Sequence, residues 1–349
     1  MGIDWLNGPL AKPSSLHREE ALVRQGQLTK PPGSLGALEN IAVSFCGWQA
    51  SATPEVDPVH IVVFAADHGV VSAGVSAFPQ SVTVEMVKNF SNGGAAISVL
   101  ADHLQARLEV VDVGCVTDPG PLAAVVSARV SNGTADMSRG AAMDDDQLAA
   151  ALTVGRKAAL RGVESGAKLM IGGEMGIGNT TAAAAVGSVL TGLTPTLMAG
   201  PGTGLNAAGV SHKATIIQQA LVMNRPEREN PLDVLKKVGG FELAALVGFY
   251  ITSAQQGIPL LVDGFIATSA ALAAVRLRPE LIDWMLFAHL SEEPGHAALL
   301  AAMDAQALID LEMRLGEGSG GAIAVPLLRM ACTLHSQMAT FSQAGVSEG

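Results

Sequence analysis

The chain is poor in cysteine, aromatic residues and positive charge, and each shortage argues against a class of function. Cys46, Cys115 and Cys332 are odd in number and far apart, so neither a disulfide framework nor a paired zinc-ligand spacing is present, and they read as buried thiols. Aromatic residues make up 4% of 349 positions, too few for base-stacking platforms. Lys and Arg number 21 against 32 Asp and Glu, a net charge of −11, and the basic residues are dispersed. Nucleic acid is therefore not the expected partner, because a phosphate backbone demands clustered cations. A small anion held by a local nest of amides stays compatible with that charge. No run reaches the roughly 18 uncharged apolar residues of a membrane span, so no membrane partner is expected. Residues 1–13 lack the basic-then-apolar pattern of a secretory leader, and a cytoplasmic location is the expectation. No internal repeat is visible.

What the chain does have is small aliphatic residues: 49% of it is hydrophobic, largely Ala, Val and Leu. Short apolar runs at 59–65, 108–113, 167–171, 196–199, 259–262 and 284–290 read as strands. Between them lie helical patterns such as 144–165, 182–190 and 210–223. Strands apolar on both faces, alternating with helices, predict an α/β fold with a mostly parallel sheet covered on each side. Ligands then collect at the carboxyl ends of the strands. Those ends carry the polar and glycine residues Asp67-His68-Gly69, Asp112-Val113-Gly114, Gly173-Glu174, Gly200-Pro201-Gly202 and Asp263-Gly264. The chain ends differ: 14–27 reads as a short amphipathic helix, and 294–315 and 322–341 as long helices with no strand between them. This predicts an α/β nucleotide-binding domain at 28–291 and a smaller all-helical lobe from 1–27 and 292–349, with a disordered tail at 342–349.

Two glycine-rich segments carry the chemistry. Leu315-Gly316-Glu317-Gly318-Ser319-Gly320-Gly321 sets one carboxylate among four glycines between two apolar helical patterns. Glycine lets the backbone bend sharply and approach a ligand. Glu317 is thus either a catalytic acid or base, or a solvated residue on a flexible turn. Gly172-Gly173-Glu174-Met175-Gly176-Ile177-Gly178-Asn179-Thr180-Thr181 reads as strand, loop and helix start. Orphan amides, the helix dipole and the two Thr hydroxyls there suit a phosphate, although tight helix-on-sheet packing explains the small residues as well. The loop is neither a Walker A nor a clean dinucleotide fingerprint.

Single residues leave alternatives open. Lys213, in a helical pattern after Gly202, is the best cation for a phosphate or else a surface lysine. Asp67-His68-Gly69 invites a metal reading, but no second ligand lies at metal spacing, and Asp67 is expected to satisfy loop amides or cap a helix. Asp263-Gly264 either binds ribose hydroxyls, the preferred reading, or forms a turn. His289 and His296 read as packing and helix-end residues. Met170, Met175, Met198, Met285 and Met313 read as core, except that Met175, within the glycine loop, is placed to touch an aromatic base.

A set of short motifs then appears in order: Thr29-Lys30-Pro31-Pro32-Gly33-Ser34-Leu35-Gly36, Ala66-Asp67-His68-Gly69-Val70, Gly173-Glu174-Met175-Gly176, Asn179-Thr180-Thr181, Lys237-Val238-Gly239-Gly240-Phe241-Glu242, Leu261-Val262-Asp263-Gly264-Phe265, Ala288-His289-Leu290-Ser291-Glu292-Glu293-Pro294 and Arg314-Leu315-Gly316-Glu317-Gly318-Ser319-Gly320. Over residues 28–326 this chain resembles the nicotinate-nucleotide:dimethylbenzimidazole phosphoribosyltransferase family, which makes α-ribazole phosphate for the lower ligand of cobalamin. The resemblance implies a doubly wound α/β domain, a small helical lobe from both termini, and a homodimer. It also implies nicotinate mononucleotide and 5,6-dimethylbenzimidazole as substrates; the residues themselves suggest no metal dependence, and no cofactor is expected. By resemblance Glu317 matches the general base, and Glu174 sits in the loop that meets both substrates. Gly176, Thr180, Thr181, Gly202, Lys213 and Ser291 match the phosphate and ribose positions, beside Asn179, Asp263 and Gly264. Phe78, Pro79, Met86 and Leu315 match the walls of the base pocket, and this chain has Phe78 and Met86 where some relatives carry polar residues. Two other classes compete: a non-catalytic nucleotide sensor, and a nicotinamide-dependent oxidoreductase, which would need a G-x-G-x-x-G after the first strand and an acid about 20 residues on.

Overall fold

In the computed structural model, which describes residues 2–347, the apolar runs become a single all-parallel sheet. Its strands are β1 Val59–Ala66, β2 Arg107–Gly114, β3 Val125–Ser127, β4 Leu169–Met175, β5 Leu260–Val262, β6 Met285–Leu290 and β7 Ala307–Asp310. The order across the sheet is β3-β2-β1-β4-β5-β6-β7. The chain winds outward one way from β1 and the other way from β4, so the order reverses between these two neighbours. Helices beside such a reversal diverge and leave a crevice at the carboxyl ends, the usual ligand position in open α/β sheets. β1 is buried along its whole length, as a strand covered on both faces must be.

Among the described residues fourteen α-helices accompany the sheet: α1 Ser15–Gln27, α2 Ala37–Gln49, α3 Ser81–Ser91, α4 Ala96–Leu104, α5 Asp145–Glu164, α6 Asn179–Thr191, α7 Pro195–Met198, α8 Ala207–Asn224, α9 Pro231–Val238, α10 Phe241–Gln255, α11 Phe265–Leu277, α12 His296–Ala301, α13 Ser319–Gln337 and α14 Phe341–Ala344. Local chemistry sets their starts. Asp144 accepts the Gln147 amide and the Gln147 side chain accepts the Asp144 amide, a capping box that opens α5. α10 packs on β1, β2 and β4, while α13 packs on β4 and β6. Two adjacent glycines in β4 make both approaches possible. A Cβ on Gly172 would press on Leu246 and Tyr250 of α10, and a Cβ on Gly173 would press on the backbone of Glu317 and Gly318.

Three stretches differ from the sequence-based expectation. Residues 196–199 are not a strand: Pro195 opens the short helix α7, where its missing N–H costs nothing. Residues 294–315 are not one long helix. After α12 the chain turns through Asp304 (φ 52°) into β7, which pairs with β6, so residues 307–310 belong to the sheet edge and not to an all-helical lobe. The helix expected at 322–341 begins earlier and ends earlier, at Ser319–Gln337. α1, α2 and α13 pack together, with Arg24 of α1 donating to the carbonyls of His335 and Ser336 at the end of α13. The expected disordered tail starts with α14, which has its own capping box at Thr340, and residues 348–349 lie outside the described region.

Candidate active site

The Glu317 turn lies against the carboxyl end of β4. Gly316, Glu317 and Gly318 have φ of 82°, 65° and 83°, three left-handed residues in a row. For the two glycines this is easy; for Glu317 it costs about 1–2 kcal/mol. Contacts from other elements hold it there. Asp263, the residue after β5, accepts the Gly318 amide on Oδ2 (3.1 Å) and the Gly321 amide on Oδ1 (2.9 Å). Gly173 supplies the floor, since only a residue without Cβ leaves room for the turn's backbone.

The Glu317 side chain is buried, at 5% exposure, and its Oε2 has no hydrogen-bond partner among the described residues. Burial pushes its carboxyl up to about 7, the Ile97 amide in the first turn of α4 opposes this, and the charge of Asp263 adds to it. Glu174, near the end of β4, is also buried and is pushed well above its ordinary value by burial, then by Asp263, Glu242 and Glu317. Its oxygen accepts the Asn179 side-chain amide, and it lies where a Cβ on Gly316 would fall. Buried carboxyls pushed above their ordinary pKa values at a strand end mark a candidate functional site.

The other end of the crevice gathers the start of α6, two threonines and a buried lysine. Gly178 (φ 98°) caps α6 without a side chain; the Asn179 amide donates to the Gly176 carbonyl and the Thr181 amide to the Gly178 carbonyl, so no side-chain cap occupies that helix end. Thr180 and Thr181 follow, and the Thr181 hydroxyl is buried without a partner among the described residues. Lys213 of α8 is not a surface lysine: it is 1% exposed, and its Nζ donates to Thr180 Oγ1 (3.2 Å) and to the Gly200 carbonyl (3.0 Å). Burial lowers its pKa and the nearby Glu293 opposes that shift. Gly202 (φ 54°) sits beside both Thr180 and Lys213. Its amide donates to Glu293 Oε1 (2.8 Å), and its carbonyl accepts Arg314 Nη1 (3.0 Å). Ser291, after β6, is buried and donates its amide to His296 Nδ1 (2.7 Å).

Asp67 and His68 follow β1 and tie the loops together. Asp67 accepts Thr83 Oγ1 (2.6 Å) and the Val116 amide (2.8 Å), the loop-satisfying role expected of it. Thr83 in turn accepts the Ile177 amide (3.0 Å), so α3 is linked to the glycine loop. A Cβ on Gly176 would strike the Ala66 carbonyl, and one on Gly178 would press on Val71 and on His68 Cβ, so both glycines let the loop lie against the end of β1. His68 Nε2 lies 2.9 Å from Glu242 Oε1 in a pair that is almost fully buried. Burial disfavours the charged imidazole, but Glu242 and Asp67 together outweigh it and hold the pKa above the ordinary value. Among the described residues no group of three or more His, Cys, Asp or Glu could hold a metal ion.

The residues matched to the base pocket are dispersed around the crevice. Met175 ends β4, Met86 lies on α3, and both are half-buried against the core. Phe78 (48% exposed), Pro79 and Leu315 (57% exposed) present apolar surface to solvent. Each Asp263 oxygen accepts one backbone amide of the Glu317 turn, and Gly264 packs on His289. The sequence reading did not single out the His68–Glu242 pair or Glu293. Their signal was available only as membership in the short motifs around 68, 242 and 293, since burial of a charge has no signature in one sequence.

A family model described as Phosphoribosyltransferase matches residues 10–346. The chain is 55% identical over 348 residues to the nicotinate-nucleotide–dimethylbenzimidazole phosphoribosyltransferase of Xanthomonas euvesicatoria pv. vesicatoria, covering 100% of both chains. It is 57% identical over 330 residues to the protein of the same name from Pseudomonas putida, covering 95% of this chain and 94% of that one. Among solved structures, the CobT of Thermus thermophilus superposes with a TM-score of 0.92 at 44% identity, covering 96% of this chain and 100% of that one.

Proposed function

The chain belongs to the nicotinate-nucleotide–dimethylbenzimidazole phosphoribosyltransferase family, and from that membership we propose that it moves the 5-phosphoribosyl group of nicotinate mononucleotide to 5,6-dimethylbenzimidazole. The products are α-ribazole 5′-phosphate, for the lower ligand of cobalamin, and nicotinate. The donor carries a pyridinium on ribose C1′. When that C–N bond breaks, its electron pair returns to the ring nitrogen, and the pyridine leaves without needing an acid. The benzimidazole attacks C1′ with its lone-pair nitrogen from the opposite face, which inverts the carbon from β to α. As that bond forms, the other ring nitrogen becomes positive and its N–H acidic. A carboxylate is then needed to take the proton.

The observation that carries this reading is Glu317: a buried carboxylate with an oxygen that has no partner among the described residues, its pKa pushed up to about 7 by burial, on a turn held by Asp263 at the carboxyl end of β4. A general base works best with a pKa near the working pH. Glu174, accepting from Asn179 beside the same turn, suits a role in steadying positive charge at C1′. The α6 amino end, Thr180, Thr181 and Lys213 suit the 5′-phosphate, and orientation of the two substrates supplies much of the rate. Phe78, Pro79, Met86, Met175 and Leu315 provide apolar surface for the azole. The homodimer belongs to the same proposal and is supported by exposed Val222 and Met223 of α8, which line a largely apolar groove together with Pro195 of α7. Incubation with nicotinate mononucleotide and 5,6-dimethylbenzimidazole should release free nicotinate only when both are present. No release with any azole would reject the transferase reading.

A further inference from the structure

The amino end of α13 poses a capping problem. Its N-cap, Gly318, is left-handed and carries no side chain; the Ser319 amide donates locally to the Gly316 carbonyl (3.0 Å), but the Gly318 and Gly321 amides find no backbone acceptor of that kind among the described residues. Asp263, arriving from β5, supplies what is missing by accepting the amides of Gly318 and Gly321. The residue between the two left-handed glycines is Glu317, so the atoms that Asp263 holds are those that aim this side chain. His289 of β6 completes the arrangement: its Nε2 lies 3.9 Å from Asp263 Oδ1, and its ring occupies the space left open by the missing side chains of Gly264 and Gly320.

We infer that Asp263 is a positioning residue for Glu317, capping α13 from a distance so that the carboxylate is held in the left-handed turn facing the crevice. The inference rests on the assignment of Glu317 as the base. Each Asp263 oxygen accepts one amide of the turn, so the turn and this carboxylate orient one another, and the alternative that Asp263 binds ribose hydroxyls is separated by the experiment below. The charges bearing on Glu317 come from several elements: Asp263 after β5, Glu174 on β4, and, through Glu174, Glu242 on α10. Tyr250 of α10 faces Asp263 and Glu174 from the other side of the sheet, and His289 balances Asp263. The Ile97 amide of α4 is the opposing influence on Glu317. Loss of the Asp263 charge therefore shifts the Glu317 pKa downward, a change that a capping role alone would not produce.

The test compares Asp263→Asn, Glu317→Gln and the double variant. In Asp263→Asn, kcat should fall about 100-fold while the dissociation constant for nicotinate mononucleotide stays within about threefold, and the acidic limb of the kcat/KM profile should move to lower pH. The double variant should be no slower than Glu317→Gln alone, because both changes remove one function. Multiplicative losses in the double variant overturn the inference. A raised nucleotide dissociation constant at unchanged kcat also overturns it and assigns Asp263 to the ribose. A lower melting temperature with unchanged kcat and pH profile overturns it in favour of a purely structural role. Near-normal kcat in Glu317→Gln alone removes the base assignment and this inference with it. If Asp263→Asn does not fold, Gly320→Ala, which drives a methyl group into the His289 ring beside the same cap and keeps the Asp263 charge, is read by kcat, by the nucleotide dissociation constant and by the double variant with Glu317→Gln, the pH profile then staying in place.

Discussion

At the scale of single residues, burial decides which of several plausible roles each side chain can hold. Lys213 illustrates this. In the sequence it is one basic residue in a helical pattern, equally suited to solvent. In the fold it is 1% exposed, donating to Thr180 and Gly200 and influenced only by Glu293 among the acids. A buried ammonium with one hydroxyl, one carbonyl and one carboxylate for neighbours marks a candidate ligand position, the role proposed above. Lys213→Ala should therefore raise the KM for nicotinate mononucleotide about tenfold or more and leave the azole KM nearly unchanged in steady-state assays; equal effects on both would make it structural. The glycine frame of Glu317 was legible in the sequence, but the role of Asp263 was not. A cap donated across 55 positions of sequence has no local pattern, whereas the Asp144–Gln147 box is written three residues apart.

Elements were legible where periodicity was strong and lost where turns avoided glycine. Strands β1, β2 and β4 and helices α5, α6 and α8 follow from apolar runs and helical patterns. β7 was missed because it has four residues, none fully buried, and because its flanking turns use Asp304 and Glu312 in left-handed conformations. Residues 196–199 were misread because four apolar-leaning positions suit a strand or a helical turn equally, and Pro195 settles the matter for helix. The adjoining faces of β4 offer a test at this scale. Gly173→Ala sets a methyl group about 2.5 Å from the Glu317 backbone, whereas the nearest atom to a Cβ on Gly172 is Leu246 Cδ2, the end of a flexible side chain. We expect Gly173→Ala to lose most turnover, and Gly172→Ala to lose about 1–3 kcal/mol of stability with turnover largely kept, measured by denaturant unfolding and initial rates. Equal loss of turnover in both would deny the turn its special dependence on Gly173.

For the molecule as a whole, the parallel sheet and its carboxyl-end site were legible from the alternation of strands and helices, but the strand order was not. Sequence patterns do not say which strands are neighbours, and it is the reversal between β1 and β4 that brings Asp67, His68 and Glu174 to one crevice. The concentration of acids there has a global consequence. Glu317 and Glu174 have folded pKa values raised above the ordinary carboxylate range, so between that range and the raised values the folded state binds more protons than the unfolded one. Stability then falls as pH rises through this window. The raised His68 acts in the same direction, losing its contribution as pH climbs through its folded pKa. The depressed His60 and His296, at about 4 and about 3, act only below the ordinary histidine value of 6.5 and do not offset the trend above it. The ligand-free protein should therefore show a melting temperature that declines from pH 6.5 towards 8, with a shallower decline in Glu317→Gln; a rising or identical slope would contradict these shifts.

The most direct test of the central claim, that Glu317 takes the proton from the attacking azole, is the pH dependence of nicotinate release in wild type and Glu317→Gln with both substrates present. The account predicts a wild-type rate that rises and levels off around pH 7, and a Gln variant about 100- to 10,000-fold slower whose residual rate lacks that rise. The same profile and comparable turnover in both proteins would contradict it.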